Sequence, residues 1–384
     1  MKRTEHIRFN PAGWLTPHTP ARMKPAALLI LLVLTLGTGV RAQSHSDKRS
    51  ISRKYPAALE TTLEVRNKYG KIQVETWEKD SVAIQADIFL TESSAARLRK
   101  LQDDIHIDFT ATGTYIIART VIESEKGRLA REIKSIENIL VGSNKQVEIN
   151  YRVKVPRYLD VVLQNKFGDI YMDDLDGRLD IDLSNGVLNA SRIGGNSSIS
   201  LSFANGMIRS LGSVTMDLSY SDLNLGHANQ LDLESKSSTL HLDSVNVLKI
   251  SSRRDKFYFR QVEYLYGNSN FSQVWVYDFI RESDLYMKYG SLTVENIRDG
   301  FNRIFVESYY TDLSFYLERD NRIQFDILHH ENSVLRLPAD MIRVEETFDG
   351  KEHFHSVGIM GEGDPVSEMR IDALQKCFIN ISFK

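Results

Sequence analysis

The chain has 384 residues, of which 42% are hydrophobic and 26% charged, and its formal net charge is −3. This composition is typical of a globular protein, and the near balance of charge excludes the strongly basic surface expected of a nucleic-acid-binding protein. The single cysteine, Cys377, excludes disulfide bonds within the chain, so stability has to come from core burial and backbone pairing.

The first predicted element is an export signal. Residues 26–40 form an apolar run that is short for a membrane span, and Arg22 and Lys24 supply a positive flank. Residues 40–42 read VRA, an A-x-A-like cleavage site before Gln43. Residues 1–42 are therefore predicted to be a signal peptide, with Met23 as a candidate true start and an uncleaved anchor as the alternative. The mature chain is predicted to be exported to the periplasm or the cell surface, with no transmembrane span.

Residues 43–160 are predicted to form a β-rich cap region with a short helix. Its predicted elements are strands at 82–89, 105–109, 115–122 and 147–156, a helix at 93–104, and a charged, helix-prone connector at 123–137. The region opens with the stretch NKYGKIQV at 67–74, which returns as NKFGDIYM at 165–172 and as MKYGSLTV at 287–294. A first copy of a repeat is therefore expected near the start of the mature chain.

Residues 161–337 carry this repeat in a short and regular form. Each unit has a small or polar marker residue, with apolar residues two and four places later and further apolar residues seven and five places before it. The markers are Gly168, Gly186, Gly206, Ser221, Ser238, Asp255, Ser272, Gly290, Thr311 and Ser333, spaced 15 to 22 residues apart. The polar residues between the apolar positions give the alternation of a half-buried strand.

Each unit is thus predicted to be a strand, a tight turn at the marker, a second strand and a looser corner. One unit cannot bury its own apolar face, whereas stacked units bury a continuous one. The fold class predicted is all-β, a single-stranded β-solenoid of about ten to twelve coils. An antiparallel β-meander or sandwich is the competing architecture, because it also has short alternating strands.

Residues 338–384 are predicted to be a cap excursion followed by a final coil. Residues 338–368 read as loop-rich, and Ile371, Ala373, Ile379 and Ile381 then repeat the inward pattern around Cys377. Cys377 occupies a marker position, which favours a structural role over a catalytic one. Both cap regions are placed to cover open sheet edges, which would otherwise template aggregation.

Several of these segments together resemble a known family. The export signal, the N-K-[FY]-G-[DK]-I turn, VEINYRVKVP at 147–156 and GDIYMDDLDGRLDIDLSNGVLNA at 168–190 resemble the putative adhesin family of exported bacterial β-solenoid proteins. The resemblance implies an exported, non-enzymatic β-solenoid. The second half of the chain is richer in aromatic residues than the glycine-rich repeats of that family, which leaves room for a specialised surface.

Charged residues suggest little chemistry. Asp173 and Asp174 are the best candidate pair for glycoside hydrolysis, but neighbours on a strand point to opposite faces, and a polar corner is favoured. An outward acidic column (Asp180, Asp182, Asp217, Asp232, Glu234, Asp284 and Glu307) could hold a cation, although simple solvation is favoured. The histidines at 329, 330, 353 and 355 lack further ligands at convincing spacing. No metal or cofactor is predicted.

Aromatic residues give the predicted ligand-binding positions. Residues 257–325 hold 18 of the chain's 36 Phe, Tyr and Trp residues. Tyr258 and Trp275 share the third place after successive markers, and Tyr266 and Tyr286 are predicted to point outward on the preceding strands. Exposed rings suit carbohydrate stacking or a protein partner. The alternative is that residues 338–368 cover them. A basic cluster (Arg253, Arg254, Lys256 and Arg260) lies nearby and would grip an anionic glycan or remain solvated.

The sequence therefore predicts an exported, non-enzymatic binding, adhesion or structural module of the cell envelope, with carbohydrate or an envelope protein as partner. A polysaccharide-active enzyme on the same scaffold is one alternative. A periplasmic component that contacts an envelope protein is another.

Overall fold

The structure, a computed structural model, describes residues 44–123, 146–339 and 342–384 and is almost entirely β. The predicted signal peptide and nearly all of the predicted 123–137 connector lie outside these residues. The residues from Ser44 onward form one compact unit. In the ranges described, no helix has the length and apolar character needed to cross a membrane.

The strands of the N-terminal half are β1 (His45–Pro56), β2 (Thr62–Lys68), β3 (Ile72–Trp77), β4 (Ser81–Glu92), β5 (Ile105–Ala111), β6 (Tyr115–Ile122), β7 (Gln146–Pro156), β8 (Asp160–Lys166), β9 (Ile170–Met172), β10 (Leu179–Ser184), β11 (Val187–Ile193) and β12 (Ser197–Ser202), and helix α1 (Ala95–Asp104) follows β4. The second half contains β13 (Asn205–Ser219), β14 (Asp222–Lys236), β15 (Thr239–Arg253), β16 (Lys256–Asn270), β17 (Gln273–Ile297), β18 (Arg303–Leu317), β19 (Ile323–His330), β20 (Val334–Arg336), β21 (Ile342–Phe348), β22 (His353–Met360), β23 (Ser367–Ala373) and β24 (Phe378–Phe383). All of them belong to one long sheet, and most of its pairings are parallel.

Parallel pairing at a fixed offset builds the core. Leu223 on β14 lies beside Leu240 on β15, which lies beside Phe257 on β16 and then Val274 on β17. The offset is 17 residues at each step, and all four side chains are buried. Residues at equivalent positions of successive repeat units therefore form columns, as the repeat predicts, and the columns merge into one hydrophobic core. The parallel pairing is not that of the competing meander, whose neighbours would run antiparallel.

One marker was assigned two residues too late. The structure pairs Gly206 with Leu223 and Ile208 with Leu225, so Gly206 occupies an inward core position and Ala204 is the residue at the turn. A Cβ on Gly206 would come within 2.5 Å of Leu223 Cδ1, so a larger residue there would force this leucine side chain to move. Glycine predicts a turn because turns often need it, but here it leaves room for a leucine of the next layer.

The turns explain why the markers are small and polar. The residue before each turn marker from Gly168 to Thr311 has a positive φ, whereas Asn332 before Ser333 does not. The amide of such a residue can continue the ladder to the next layer, as Tyr220 N–H donates to Lys236 O at 3.0 Å. A polar marker side chain accepts a hydrogen bond from the amide of the preceding marker. Ser238 Oγ accepts from Ser221 N–H at 3.1 Å, and Asp255 Oδ1 accepts from Ser238 N–H at 2.8 Å. Short acceptors therefore satisfy amides that would otherwise be buried without a partner.

The N-terminal region has the predicted strands and helix. Strands β4, β5, β6 and β7 and helix α1 lie within a few residues of their predicted bounds. Residues 62–77 form the expected first copy, because β2 pairs with β8 and β3 with β9 in parallel. Strands β6 and β7 then cover the outer edges of β2 and β3. The sequence did not predict β1, which pairs antiparallel with β4 and has few apolar residues to mark it.

The C-terminal region differs from its prediction in two ways. First, residues 342–360 form an antiparallel hairpin, β21 and β22, instead of a loop-rich excursion, and β22 pairs with β19. Second, the last coil does not lie at the end of the sheet. Strand β23 pairs with β18 on one side and β19 on the other, and β24 lies between β18 and β20. The final coil has the expected inward residues, including Ile371 and Ile379, but it is inserted between two earlier layers.

Candidate functional site

Tyr258 and Trp275 lie side by side on an outward face of β16 and β17. They are register partners, and 41% of Tyr258 and 46% of Trp275 is exposed. Their neighbours along each strand, Phe257, Phe259 and Val276, point into the core, so the alternation of the strand holds the two rings outward. The hairpin at 342–360 leaves both rings exposed.

A third ring system extends this pair. His241 on β15 is the register partner of Tyr258, and the two rings stack with centroids 4.7 Å apart and an interplanar angle of 10°. Sequence reasoning missed His241 because only Phe, Tyr and Trp were compared. Its position three residues after the marker Ser238 is the signal that would have identified it. Stacking on His241 supports the Tyr258 ring, and Trp275 is the register partner of Tyr258 on the next strand.

A second outward column turns this row into a groove. Asp243, Arg260 and Tyr277 lie two residues further along the same three strands, and with His241, Tyr258 and Trp275 they line a groove of about 390 Å³. Of the predicted basic cluster, only Arg260 belongs to this groove. The groove therefore combines aromatic rings with one cation and one carboxylate, a combination that can contact an apolar face and hydrogen-bond hydroxyl groups.

The groove continues toward the N-terminal strands. A second groove of about 540 Å³ shares His241 and Asp243 with the first and extends to Met207 and Arg209 on β13. Gly226 on β14 lies between Arg209 and Asp243 in the second column. It has no side chain that would fill the space between these two residues. The two grooves together cross the layers at right angles to the strands, so a long ligand would meet repeated contacts.

Tyr266 and Tyr286 lie on the strand segments that precede the turns, away from this groove. Tyr266 is half-buried beside Asp284, and Tyr286 lies between Asn268 and Glu307 with its ring 5.6 Å from that of Tyr309. Burial, followed by the negative charge of Glu282, raises the pKa of Tyr266. Of the four predicted residues, Tyr258 and Trp275 therefore share a groove, whereas Tyr266 and Tyr286 lie apart from it, each beside a different tyrosine.

The candidate carboxylates have structural partners. Asp174 accepts from the Arg192 N–H at 3.2 Å and forms ion pairs with Arg157 and Arg192 at 3.5 and 3.8 Å. Asp173 is exposed and lies 3.4 Å from the Thr76 amide. In the acidic column, Asp217 and Glu234 are register partners, as predicted, and Asp182 lies two layers away through Ser200.

The histidines and the cysteine are likewise placed by the sheet. His330 lies opposite His353, with ring centroids 5.7 Å apart, and His355 Nε2 lies 2.8 Å from Asp326 Oδ1. Within residues 44–123, 146–339 and 342–384, no group of three or more His, Cys, Asp or Glu residues is arranged to hold a metal ion. Cys377 is buried at the turn, and its Sγ lies 3.4 Å from Ser308 Oγ.

Comparison with known proteins gives structural similarity at low identity. No family model and no curated protein matches the chain. Similar solved structures include a putative cell adhesion protein from Clostridium sporogenes (12% identity, TM-score 0.18), which covers 89% of this chain and 100% of its own length. A putative lipid binding protein from Parabacteroides distasonis (11% identity, TM-score 0.31) covers 71% of this chain and 93% of its own. A putative adhesin from the same organism (10% identity, TM-score 0.26) covers 71% and 94%. Two of the three carry the adhesion designation of the family that the sequence resembles, and at these values the similarity carries no argument about a ligand.

Proposed function

We propose that the chain is an exported β-solenoid of about ten to twelve coils that binds carbohydrate through the groove around Tyr258 and Trp275. The fixed offset of 17 to 18 residues between parallel partners supports the solenoid, because each layer then corresponds to one turn of the chain. Ten layers at about 4.8 Å would make a body roughly 50 Å long. Residues 43–160 would cap one end, and the β21–β22 hairpin would lie at the other.

The observation that carries the binding proposal is the row His241, Tyr258 and Trp275 beside Arg260. Adjacent layers hold these side chains outward on rigid strands, so little conformational entropy is lost when a ligand binds. The Trp275 ring can stack on the apolar face of a sugar, and Arg260 and Asp243 can donate to and accept from its hydroxyl groups. The continuing groove toward Met207 suits a chain of several sugars better than a single one.

We further propose that the protein is not an enzyme. The best carboxylate candidate, Asp174, is paired with Arg157 and Arg192 and accepts a backbone hydrogen bond, which is the arrangement of a structural corner. Replacing Asp173 and Asp174 by Asn should therefore leave unchanged any polysaccharide cleavage that a preparation shows. Loss of cleavage in that variant would restore the enzymatic alternative.

A glycan array tests the binding proposal. Residues 44–384 are applied as wild type, as the Tyr258→Ala/Trp275→Ala double variant and as Tyr115→Ala, which removes an exposed ring from β6, outside the groove. We expect retention on a subset of glycans, weakened about tenfold or more in the double variant and unchanged in Tyr115→Ala.

The other outcomes of the array are also informative. Equal retention of the double variant would place binding elsewhere on the molecule. Retention that falls instead in Tyr286→Ala, applied as a further variant, would assign it to the surface around Tyr286. Retention on no glycan would favour a protein partner in the cell envelope.

A further inference from the structure

A second exposed surface runs along the turn edge of the sheet, separate from the groove. The residues with positive φ at successive turns are Tyr69, Phe167, Asn185, Phe203, Tyr220, Ser237, Arg254, Phe271, Tyr289 and Tyr310. From Phe167 to Phe271, each amide donates to the residue just before the next turn residue, so these residues form one row. Nine layers, from Phe167 to Tyr310, would span about 38 Å at the spacing of paired strands. We call this row the aromatic turn edge.

The rings on this edge are not required by the turn. Left-handed backbone favours Gly, Asn and Asp, and it is unfavourable for a bulky ring. The chain itself places Asn185 and Ser237 at two of the ten positions, yet it uses Phe or Tyr at seven. Six of these seven rings are also exposed, up to 61% for Phe203, whereas Tyr69 is buried. Aromatic residues in strained, exposed positions indicate a role for the side chains themselves.

Stacking decides which part of each ring is accessible. Phe203 and Tyr220 stack with centroids 5.0 Å apart, and Phe271, Tyr289 and Tyr310 form a continuous stack at 4.7 and 5.2 Å. Among these five rings only Tyr289 has a stacked neighbour on both sides, and each of the others has one. Stacking therefore covers both faces of Tyr289 and one face of each of the other rings.

Basic side chains accompany the rings. Lys236 lies over the Tyr220 ring with its Nζ 5.6 Å from the centroid, and Lys288 lies at the same distance from that of Tyr289. Within two residues of the turn positions, the basic residues are Lys68, Lys71, Lys166, Lys236, Arg253, Arg254, Lys256 and Lys288, and the exposed or half-buried acidic residues are Asp169, Asp222 and Asp312. The edge is therefore positive in a chain whose net charge is −3.

The basic side chains in the middle of this edge are not held in ion pairs. In the part of the chain that the structure describes, no ion pair involves Lys236, Arg253, Arg254, Lys256 or Lys288. These cations are consequently available to an external anion. Arg254 itself replaces a ring in the row, between Tyr220 and Phe271, so the charge lies within the aromatic surface.

We propose that the aromatic turn edge docks lengthwise on a membrane surface that contains anionic lipid headgroups. Amphipathic Tyr rings and exposed Phe edges suit the headgroup region, and interleaved Lys and Arg side chains are attracted to anionic lipids. A row held by successive layers meets a flat surface at many points at once. A soluble anionic polysaccharide would meet the same charge, but it has no apolar layer to receive the exposed Phe203 and Phe271 rings.

Vesicle flotation tests this proposal. Residues 44–384 are used, because the apolar run at residues 26–40 would itself bind lipid. The vesicles are of phosphatidylethanolamine with phosphatidylglycerol, and vesicles of phosphatidylcholine alone are the uncharged comparison. The key variant is Phe203→Asn/Tyr220→Asn/Phe271→Asn/Tyr289→Asn. Asn185 shows that this turn accepts asparagine, so the variant should fold, and circular dichroism checks that it does.

We expect the wild type to float with the anionic vesicles and the four-Asn variant to partition about tenfold more weakly. Lys236→Gln/Arg254→Gln/Lys288→Gln should weaken partitioning roughly tenfold or more and reduce its salt dependence. Tyr258→Ala/Trp275→Ala should float as the wild type does. A wild type that does not float, or a folded four-Asn variant that floats equally well, would overturn the proposal. Binding of the protein to a soluble anionic polysaccharide but not to vesicles would overturn the proposal as well.

Discussion

The regular middle of the sheet and its C-terminal end use the same residue pattern but choose their neighbours differently. Strands β13 to β16 have 15 residues each, and every one pairs with the next along the chain at an offset of 17. At the C-terminal end, β18 pairs not with β19 but with β23, which lies more than 50 residues later. Local pattern therefore specifies which residues face inward, whereas the order of layers depends on contacts that are distant in sequence.

This difference has a consequence for how each region is stabilised. A layer in the middle is held by its immediate neighbours, so its stability is close to a sum of local terms. Within the described residues, strand β19 pairs with β23 on one side and with β22 on the other. The last coil therefore lies between β18 and residues 323–360. Its removal would take away the strand that pairs with both.

The largest expected effect follows from removing the last coil. Deletion of residues 367–384 should destabilise the C-terminal third by several kcal/mol, because Met369, Ile371, Ile379 and Ile381 are all fully buried and each contributes roughly 1.5–3 kcal/mol. Hydrogen exchange should show loss of protection in β19 and β22, with β13 to β16 still protected. The matched control is Val344→Ser, at an exposed position of the hairpin, which should leave exchange unchanged.

A deletion variant in which β19 keeps its protection would contradict the inserted position of β23. It would mean that β19 can pair directly with β18, as the order of the sequence repeat predicts.

A smaller effect is expected at a single position in the middle. Gly206→Val places a side chain where a Cβ alone already comes within 2.5 Å of Leu223 Cδ1, so the cost should be about 1–3 kcal/mol of unfolding free energy. Gly113→Ala is the control, because no heavy atom lies within 4 Å of its Cβ. Urea denaturation measures both. An undiminished stability of Gly206→Val would return Gly206 to the turn, where the repeat in the sequence first placed it.

These two regions also show how far the sequence predicts the fold. Alternation identifies Leu223, Leu240 and Phe257 as inward residues, because burial is a property of each strand by itself. The insertion of β23 cannot be read from alternation, since Ile371 and Ile379 would be inward beside any neighbour. The hairpin at 342–360 was missed for a related reason: six of the seven residues of β21 are exposed, so the strand lacks the apolar positions by which strands are predicted.

The candidate groove was predictable in part. The shared position after each marker predicts that Tyr258 and Trp275 are neighbours, and the register confirms it. His241 follows the same rule, and Tyr277 lies two residues after Trp275 on the same outward face, so both could have been included. The aromatic turn edge was visible in the sequence as the Phe or Tyr before Gly168 and Gly290. Its exposure was not, because a residue beside a turn can point either way until the positive φ is known.

The smallest expected effect concerns the turn marker that carries a charge. Burial raises the pKa of Asp255, although its carboxylate accepts from the amides of Ser238 and Arg253, each at 2.8 Å. The folded state therefore holds the proton to higher pH than the unfolded state, where the pKa is near 3.8. The stabilising contribution is fully present below that value and is lost as pH rises through the folded pKa.

Asp255→Ser separates this charge from the hydrogen bond that the turn requires. Ser238 and Ser272 show that a serine at this position still accepts from the preceding marker's amide, so the variant should lose only the bond from Arg253, about 1 kcal/mol, at acidic pH. Near neutral pH the wild type carries a desolvated charge, and the difference between the two proteins should shrink or reverse. Urea denaturation of both proteins from acidic to neutral pH measures it. A difference that stays constant across this range would show that Asp255 is as well solvated as an ordinary surface carboxylate, and that serine and aspartate are interchangeable at this turn.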